Sequence, residues 1–380
     1  MMVRVAAPQV EEAEVLAVRE VLLSGSYTSG RRVAEFERRF ADYIGVADAV
    51  AVNSGTAALH TALAALDLGP GDEVIVPAWT FFATVAAVIQ QGAVPVFCDV
   101  TLTDFSMSAE DLVRRITPRT KAVIPVHHLG YAAEMAAINE VARGRGLKVI
   151  EDCAQSHGTR YRGTQTGALA DMGAFSFFAT KHMTTGEGGI VTTNDPDLAA
   201  RMRIFRSHGL AGRDDHVMLG YNYRMTEMSA AMGLVQLQRL DALNEARIRV
   251  SEYLLQQIAD VPWLRVTGIV NDQKPTYFWC PIIVDEDKLG FSTEELIARL
   301  LERGVETRHR YKAPLYRQPV LNENLPKLLR LSALGHLPDY AGLHLPNAER
   351  LVGHVIGLPN RPDMNENEIE HVISVVRSIH

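Results

Sequence analysis

From Ala49 onward the chain repeats one alternation: a short apolar run rich in β-branched residues, a turn, then a stretch of helical periodicity. AVAV at 49–52 precedes GTAALHTALAAL, EVIVP at 73–77 precedes FFATVAAVIQQ, and VPVFCDV precedes SAEDLVRRI. KAVIPV at 121–126 leads into AAEMAAINEVARGRG, and LKVIED at 147–152 follows it. Strands in alternation with helices predict an α/β fold, a parallel sheet covered on both faces. Two further runs, MGAFSFF at 172–178 and GGIVTT at 188–193, read as strands joined by a Thr- and Gly-rich loop. The expectation is therefore a mostly parallel, seven-stranded-type sheet. Such sheets bind ligands beyond the carboxyl ends of their strands. Function is expected where Ser54, Gly55, Thr56, Trp79, Phe81, Asp99 and Asp152 fall.

The chain has 380 residues, and at roughly 150 residues per domain this predicts two domains or one large one. After Pro196 the pattern turns helical, and a long helix starts near Thr226 and runs past Leu240 toward Ile258, with Pro262 closing it. YFWCPIIV, STEELIARLLERG and the terminal ENEIEHVISVVRSI then predict a smaller α/β domain. The division is placed at residue 245, giving a large domain over 1–245 with an N-terminal helical segment and a small one over 246–380.

A net charge of −7 supplies no bulk positive field for nucleic acid or an anionic membrane surface. The acidic start, with Glu11, Glu12 and Glu14, lacks the apolar core of a signal peptide, and no run reaches the ~20 apolar residues of a membrane helix. Cys98, Cys153 and Cys280 contain no CxxC pair, which argues against a structural zinc and a disulfide framework. The expectation is a cytoplasmic protein without a metal, its cysteines serving as small buried hydrophobes.

Chemistry concentrates around Lys181, in FSFFATKHMTTGEGG. A desolvated lysine titrates toward neutrality and becomes a Schiff-base nucleophile. Asp152 ends the run LKVIED and aims a carboxylate at the ligand edge of the sheet. A carboxylate on the pyridine nitrogen together with a Schiff-base lysine is the pairing that pyridoxal phosphate requires. Its phosphate needs hydroxyls and free N–H groups at a helix start, and Ser54, Gly55 and Thr56 stand directly after a strand and open a helix. Ser176 offers another hydroxyl. Each residue alone has a plainer reading: a solvated lysine, a turn aspartate, an N-cap serine. Their joint occurrence favours the cofactor.

These segments resemble the sugar aminotransferases of the DegT/DnrJ/StrS group, enzymes of fold type I dependent on pyridoxal phosphate. The resemblance runs through GSYTSG, VAVNSGTAALHTAL, GPGDEVIVPAWTFFATVAAV, EDCAQSHGTRY, GAFSFFATKHMTTGEGG and GYNYRMTEMSAAMGLVQL. It implies that the large domain binds the cofactor and that Lys181 is the Schiff-base lysine, which also shuttles protons. Asp152 is implied as the partner of the pyridine nitrogen and Gln155 as the side chain beside the phenolic oxygen. Thr56, the Gly55 backbone and Ser176 are the implied phosphate ligands. Phe81 is the implied stacking ring, with Trp79 competing. Asn222 resembles the asparagine that reaches the cofactor phosphate of a neighbouring subunit, which implies a homodimer with shared sites. Arg224 and Glu227 read as a loop ion pair and a first-turn helix charge, and Gly186, Gly188 and Gly189 as turn glycines.

Some segments depart from the family pattern. His182 follows the lysine where Asn is common and reads as a loop hydrogen-bonding residue, and VHHLGYAAEM replaces a more usual VHLYGxxxDM, leaving His127 and His128 without an assigned role. In TRHRYKAPLY, Arg310 and Tyr316 stand where histidines are common. This segment lies near the sugar in the family, so Arg310 and Tyr311 are the substrate-side candidates, with Arg310 able to pair a diphosphate or a carboxylate. The implied reaction moves an amino group from an amino acid, L-glutamate first, to a 3-keto or 4-keto group of a nucleotide-linked deoxysugar, with the cofactor passing through pyridoxamine phosphate. Alternatives on the same scaffold are a cyclitol aminotransferase using glutamine, a sugar dehydratase and a regulatory protein without activity. The sugar dehydratases of the family carry His in place of the lysine, whereas Lys181 is present.

Overall fold

The computed structural model describes residues 1–267, 272–324 and 338–379. Seven strands form the central sheet: β1 (Asp48–Val52), β2 (Glu73–Pro77), β3 (Val94–Cys98), β4 (Thr120–Val123), β5 (Lys148–Asp152), β6 (Met172–Ser176) and β7 (Gly189–Thr193). Their spatial order is β1-β7-β6-β5-β4-β2-β3. Every pairing from β6 to β3 is parallel, while β7 runs antiparallel to both β1 and β6. The mostly parallel seven-stranded sheet expected from the alternation is present, with one reversed strand. The reversal follows from the connection: no helix carries the chain back between β6 and β7, so it can only return antiparallel.

Continuous apolar runs such as EVIVP and MGAFS are buried along their whole length, as a sheet covered on both faces demands. The covering helices are α1 (Glu12–Ser24), α2 (Arg31–Ile44), α3 (Gly55–Ala65), α4 (Ala83–Gln90), α5 (Ala109–Arg115), α6 (Met135–Arg145), α7 (Pro196–Phe205) and α8 (Glu227–Ile258). Buried from Ala57 to Ala65, α3 carries small and apolar residues on all its sides. α2 instead turns Val33, Phe36, Phe40 and Ile44 to the sheet, where the Phe40 ring meets Phe175 edge-on at 5.0 Å.

α2 begins at Gly30, which has no side chain to cap it. The buried Glu227 carboxylate does so from the start of α8, accepting N–H bonds from Gly30 at 2.9 Å, Arg32 at 3.0 Å and Val33 at 2.9 Å. Glu227 is thus a first-turn charge of its own helix and the cap of a distant one. Arg224 makes no ion pair among the described residues, contrary to the loop pair expected; its backbone bridges to Val52.

A second, four-stranded antiparallel sheet comprises β8 (Leu264–Val266), β9 (Cys280–Val284), β10 (Arg308–His309) and β11 (Val355–Leu358), in the order β8-β9-β11-β10. With it go α9 (Thr293–Glu302), α10 (Pro346–Leu351) and α11 (Glu366–Arg377). Residue 245 lies inside α8. The first half of that helix packs against α1 and α2, and its second half meets α11 through the Tyr253 hydroxyl bond to Glu370 at 2.9 Å.

Asp99, just past β3, turns away from ligand duty: its carboxylate accepts the N–H groups of Asn347 at 3.1 Å and Ala348 at 2.8 Å, tying α10 to the large sheet. His127 and Glu151 form a buried pair at 2.8 Å, with Ala133 N–H donating to His127 Nδ1 and the N–H groups of Gly167 and Leu169 to Glu151. Cys153 stands nearby, the ligand atoms of the three buried side chains lying within 4.8 Å of one another. All three cysteines are buried and free. Among the described residues no helix is long and apolar enough to cross a membrane.

Candidate active site

The carboxyl ends of β1, β2, β5 and β6 open onto a cavity of about 520 Å³, closed on another side by residues of the small sheet and its approach. At the end of β1 the Ser54 hydroxyl caps α3 by accepting Ala57 N–H at 3.1 Å. The N–H groups of Gly55 and Thr56, in the first turn, have no acceptor within their own helix. They sit at the positive end of the helix dipole, where an anion is favoured. Gly55 is required there, because a β-carbon on it would lie 2.5 Å from the Ser176 β-carbon. Gly189 lets β7 press against the same turn; its own β-carbon would fall 2.3 Å from the Ser54 carbonyl oxygen.

Asp152, at the end of β5, is buried and lines the cavity. Its Oδ2 accepts the Thr84 hydroxyl at 2.8 Å and its Oδ1 accepts Ala154 N–H at 3.1 Å. Burial raises the carboxyl pKa, while those two donors and the charge of Lys181 act the other way. Lys181 lies in the loop after β6, with Nζ 4.7 Å from the centre of the Phe278 ring. Burial and then the Arg310 charge bring its amine down to about 7, against the opposing pull of Asp152. Gln155 accepts Leu129 N–H at 3.1 Å through Oε1 and also lines the cavity.

Phe81 and Trp79, left competing by the sequence, part company here. Phe81 is 62% exposed and lines the cavity. Trp79 is buried, its ring 5.5 Å from Phe105, 4.8 Å from His128 and 5.3 Å from Tyr311. The structure thus gathers Gly55, Thr56, Phe81, Asp152, Gln155, Ser176, Lys181 and Arg310 around one space. Tyr311 stays behind that wall against Trp79 and His128. Asn222 is exposed on the surface of the single chain, its backbone bridged to Ser207 and its carbonyl accepting the Asn53 side chain at 3.2 Å. His182 is buried 5.4 Å from the His157 ring, and burial holds it well below the ordinary histidine range. Thr84, Phe278, Trp279 and Arg308 were not singled out in the sequence. The aromatic pair in YFWCP just before β9 is the signal that points to two of them.

An amine brought near neutrality, a buried carboxylate and an anion cradle at a helix start share one cavity, and these are the groups that pyridoxal phosphate needs. The fold and the site together define a transferase of the pyridoxal phosphate class. Residues 8–377 match the DegT/DnrJ/EryC1/StrS aminotransferase family, and the chain belongs to that family. It is 40% identical over 363 residues to the GDP-perosamine synthase of Caulobacter vibrioides, covering 92% of this chain and 96% of that protein. The spore coat polysaccharide biosynthesis protein SpsC of Bacillus subtilis is 34% identical over 384 residues, covering 98% of this chain and 95% of that one. Among solved structures, S. venezuelae DesV in complex with a ketimine intermediate superposes with a TM-score of 0.87 at 35% identity, covering 96% of this chain and 93% of that one. The protein is a pyridoxal phosphate-dependent aminotransferase of fold type I.

Proposed function

We propose that this enzyme moves an amino group from L-glutamate to the keto carbon of a nucleotide-linked deoxysugar. The observation that carries the reading is the placing of Lys181 and Asp152 on one cavity beside the α3 cradle. The name of the Caulobacter relative, GDP-perosamine synthase, supports the substrate class.

Gly55, Thr56 and Ser176 would hold the cofactor phosphate, Asp152 its ring nitrogen, Gln155 its phenolic oxygen and Phe81 one face of its ring. When bound, the cofactor supplies an electron sink that stabilises negative charge on the substrate carbon. Asp152 would hold the ring nitrogen in its protonated form; its two hydrogen bonds fix where the carboxylate points. With its amine near 7, Lys181 is partly neutral at physiological pH. It therefore serves as nucleophile, then as the base that takes a proton from the donor carbon, then as the acid that returns one. The same lysine acts in both halves, so donor and acceptor use one cavity in turn and ping-pong kinetics follow.

The functional unit in this reading is a homodimer in which Asn222 reaches the partner's cofactor phosphate. Phe81 at 62% and Phe178 at 44% exposure line the cavity and leave apolar rings open to solvent, a surface that a second copy would cover. Three buried free thiols suit a reducing cytoplasm. The test is a panel: enzyme converted with L-glutamate, freed of donor, then given keto-sugar nucleotides and keto-cyclitols, with products resolved by chromatography. Amination of a keto-sugar nucleotide is expected. Amination of a cyclitol alone would replace the proposed acceptor.

A further inference from the structure

α3 carries the anion cradle at its start and a buried histidine, His60, on its second turn. The His60 ring sits among three others: Phe205 of α7 edge-on at 5.1 Å, Tyr221 at 5.3 Å and Tyr223 at 5.8 Å. Tyr221 and Tyr223 stack on each other at 5.2 Å, their planes 13° apart. The Tyr223 hydroxyl makes two bonds, one with His60 Nδ1 at 3.1 Å and one with the side-chain amide of Gln90, on α4, at 3.2 Å. Gln90 Nε2 can only donate, so the hydroxyl accepts from it and gives its own proton to Nδ1. The protonation states agree with that direction. Burial brings the His60 imidazole down to about 4 and pushes the Tyr223 phenol up, which leaves a ring with a free lone pair beside a hydroxyl that keeps its proton.

Asn222 stands between these two tyrosines on an extended piece of chain. The N–H groups of Tyr221 and Tyr223 reach the Phe205 and Arg206 carbonyls at 2.9 and 3.0 Å, and Asn53 N–H reaches the Tyr223 carbonyl at 2.9 Å. Neighbouring side chains of an extended chain point to opposite faces. With both rings turned in toward His60, the Asn222 side chain points out, and it is exposed. Asn53, whose side chain also holds the Asn222 carbonyl, directly precedes Ser54, Gly55 and Thr56. The segment is thus hung beside this chain's own cradle while its asparagine faces away from it. We propose that His60 and Tyr223 are positioning residues for the second copy's site: the ring stack and the hydroxyl bond aim Asn222 at the cofactor phosphate of the partner. This rests on the shared-site homodimer proposed above. In a two-fold dimer it sets the two cradles close together across the axis, each α3 holding its own phosphate at its start and, on its flank, the asparagine that serves the other. A shift of that segment by about 1 Å is enough to lose such a contact.

Heterodimers of the full chain, isolated through two different affinity tags, test it. In the reference pair a wild-type chain is joined to a Lys181→Ala chain, so the one site able to form the cofactor's visible band combines the wild-type lysine with the Asn222 of the other chain. Placed in the Lys181→Ala chain, Tyr223→Phe should weaken pyridoxal phosphate binding at that site about three- to tenfold; placed in the chain that keeps Lys181, it should leave binding like the reference. Asn222→Ala in the Lys181→Ala chain sets the size of the full loss. Pyridoxal, which lacks the phosphate, should bind alike in every pair. His60→Leu should repeat the Tyr223→Phe loss, and His60→Asn, whose amide oxygen takes the place of Nδ1, should recover part of it. Urea midpoints check that each variant is folded. A loss when Tyr223→Phe shares a chain with Lys181, an equal loss for pyridoxal, or a loss from Asn222→Ala with none from Tyr223→Phe overturns the proposal and leaves the shared site standing. No loss from Asn222→Ala, or a chain that forms no dimer, removes the shared-site reading and the proposal with it.

Discussion

Gly55 and Ser176 approach so closely that a β-carbon on residue 55 would stand 2.5 Å from the Ser176 β-carbon and 2.9 Å from its hydroxyl. The first turn of α3 and the end of β6 thereby form one anion cradle. Gly55→Ala should push the two apart, weakening pyridoxal phosphate binding by about tenfold or more and costing about 1–3 kcal/mol of stability through overpacking. Absorbance titration with the cofactor and urea denaturation check the two effects separately. Unchanged affinity would show that the cradle does not hold the phosphate.

Asp152 and Thr84 yield a second prediction. Asp152→Asn should still admit the cofactor while slowing turnover by about 100-fold or more, because the ring nitrogen loses its charged partner. Thr84→Val removes the 2.8 Å hydroxyl bond to Oδ2, and a smaller loss of about three- to tenfold is expected, from a less firmly aimed carboxylate. An unchanged rate in Asp152→Asn means another group faces the ring nitrogen.

The lysine has a thermodynamic signature. Its amine falls from an ordinary 10.5 to about 7 in the folded chain, so between those values the unfolded state binds more protons and stability rises with pH. The burden on folding is full below about 7 and gone above 10.5. Lys181→Met should therefore stabilise the cofactor-free protein by several degrees at pH 6.5, and the gain should shrink steadily toward pH 10. Melting curves across that range measure it. A gain independent of pH would mean that the amine is not depressed.

Glu227 supports α2 from far away in sequence. Glu227→Ala leaves three N–H groups uncapped, and a loss of about 1–3 kcal/mol is expected. Glu227→Gln should recover part of it, since one amide oxygen still accepts. Denaturant midpoints decide, and a change within ~0.5 kcal/mol for the alanine variant would contradict the capping role.

Strand runs and helix starts were legible because they are local: each apolar run maps onto a sheet strand, and Ser54 and Thr226 cap helices as their positions suggest. The cavity-lining residues at strand ends, Asp152 and Ser176, were legible for the same reason. Asp99 shows the limit of that logic, since a carboxylate at a strand end serves equally to hold a distant helix. Glu227, Thr84 and Trp279 act through partners remote in sequence, and no spacing encodes such contacts. His128 and Arg310, two departures from the family pattern in separate segments, meet at the Tyr311 ring only when the chain is folded.

The most direct measurement is the absorbance spectrum of the protein with pyridoxal phosphate, recorded alone, after L-glutamate, and after a keto-sugar nucleotide, beside the Lys181→Ala variant. The account predicts a visible band in the wild type that glutamate bleaches and one keto sugar restores, with no such cycle in the variant. A wild type that forms no band, or a Lys181→Ala protein that cycles like it, would contradict the assignment of this cavity.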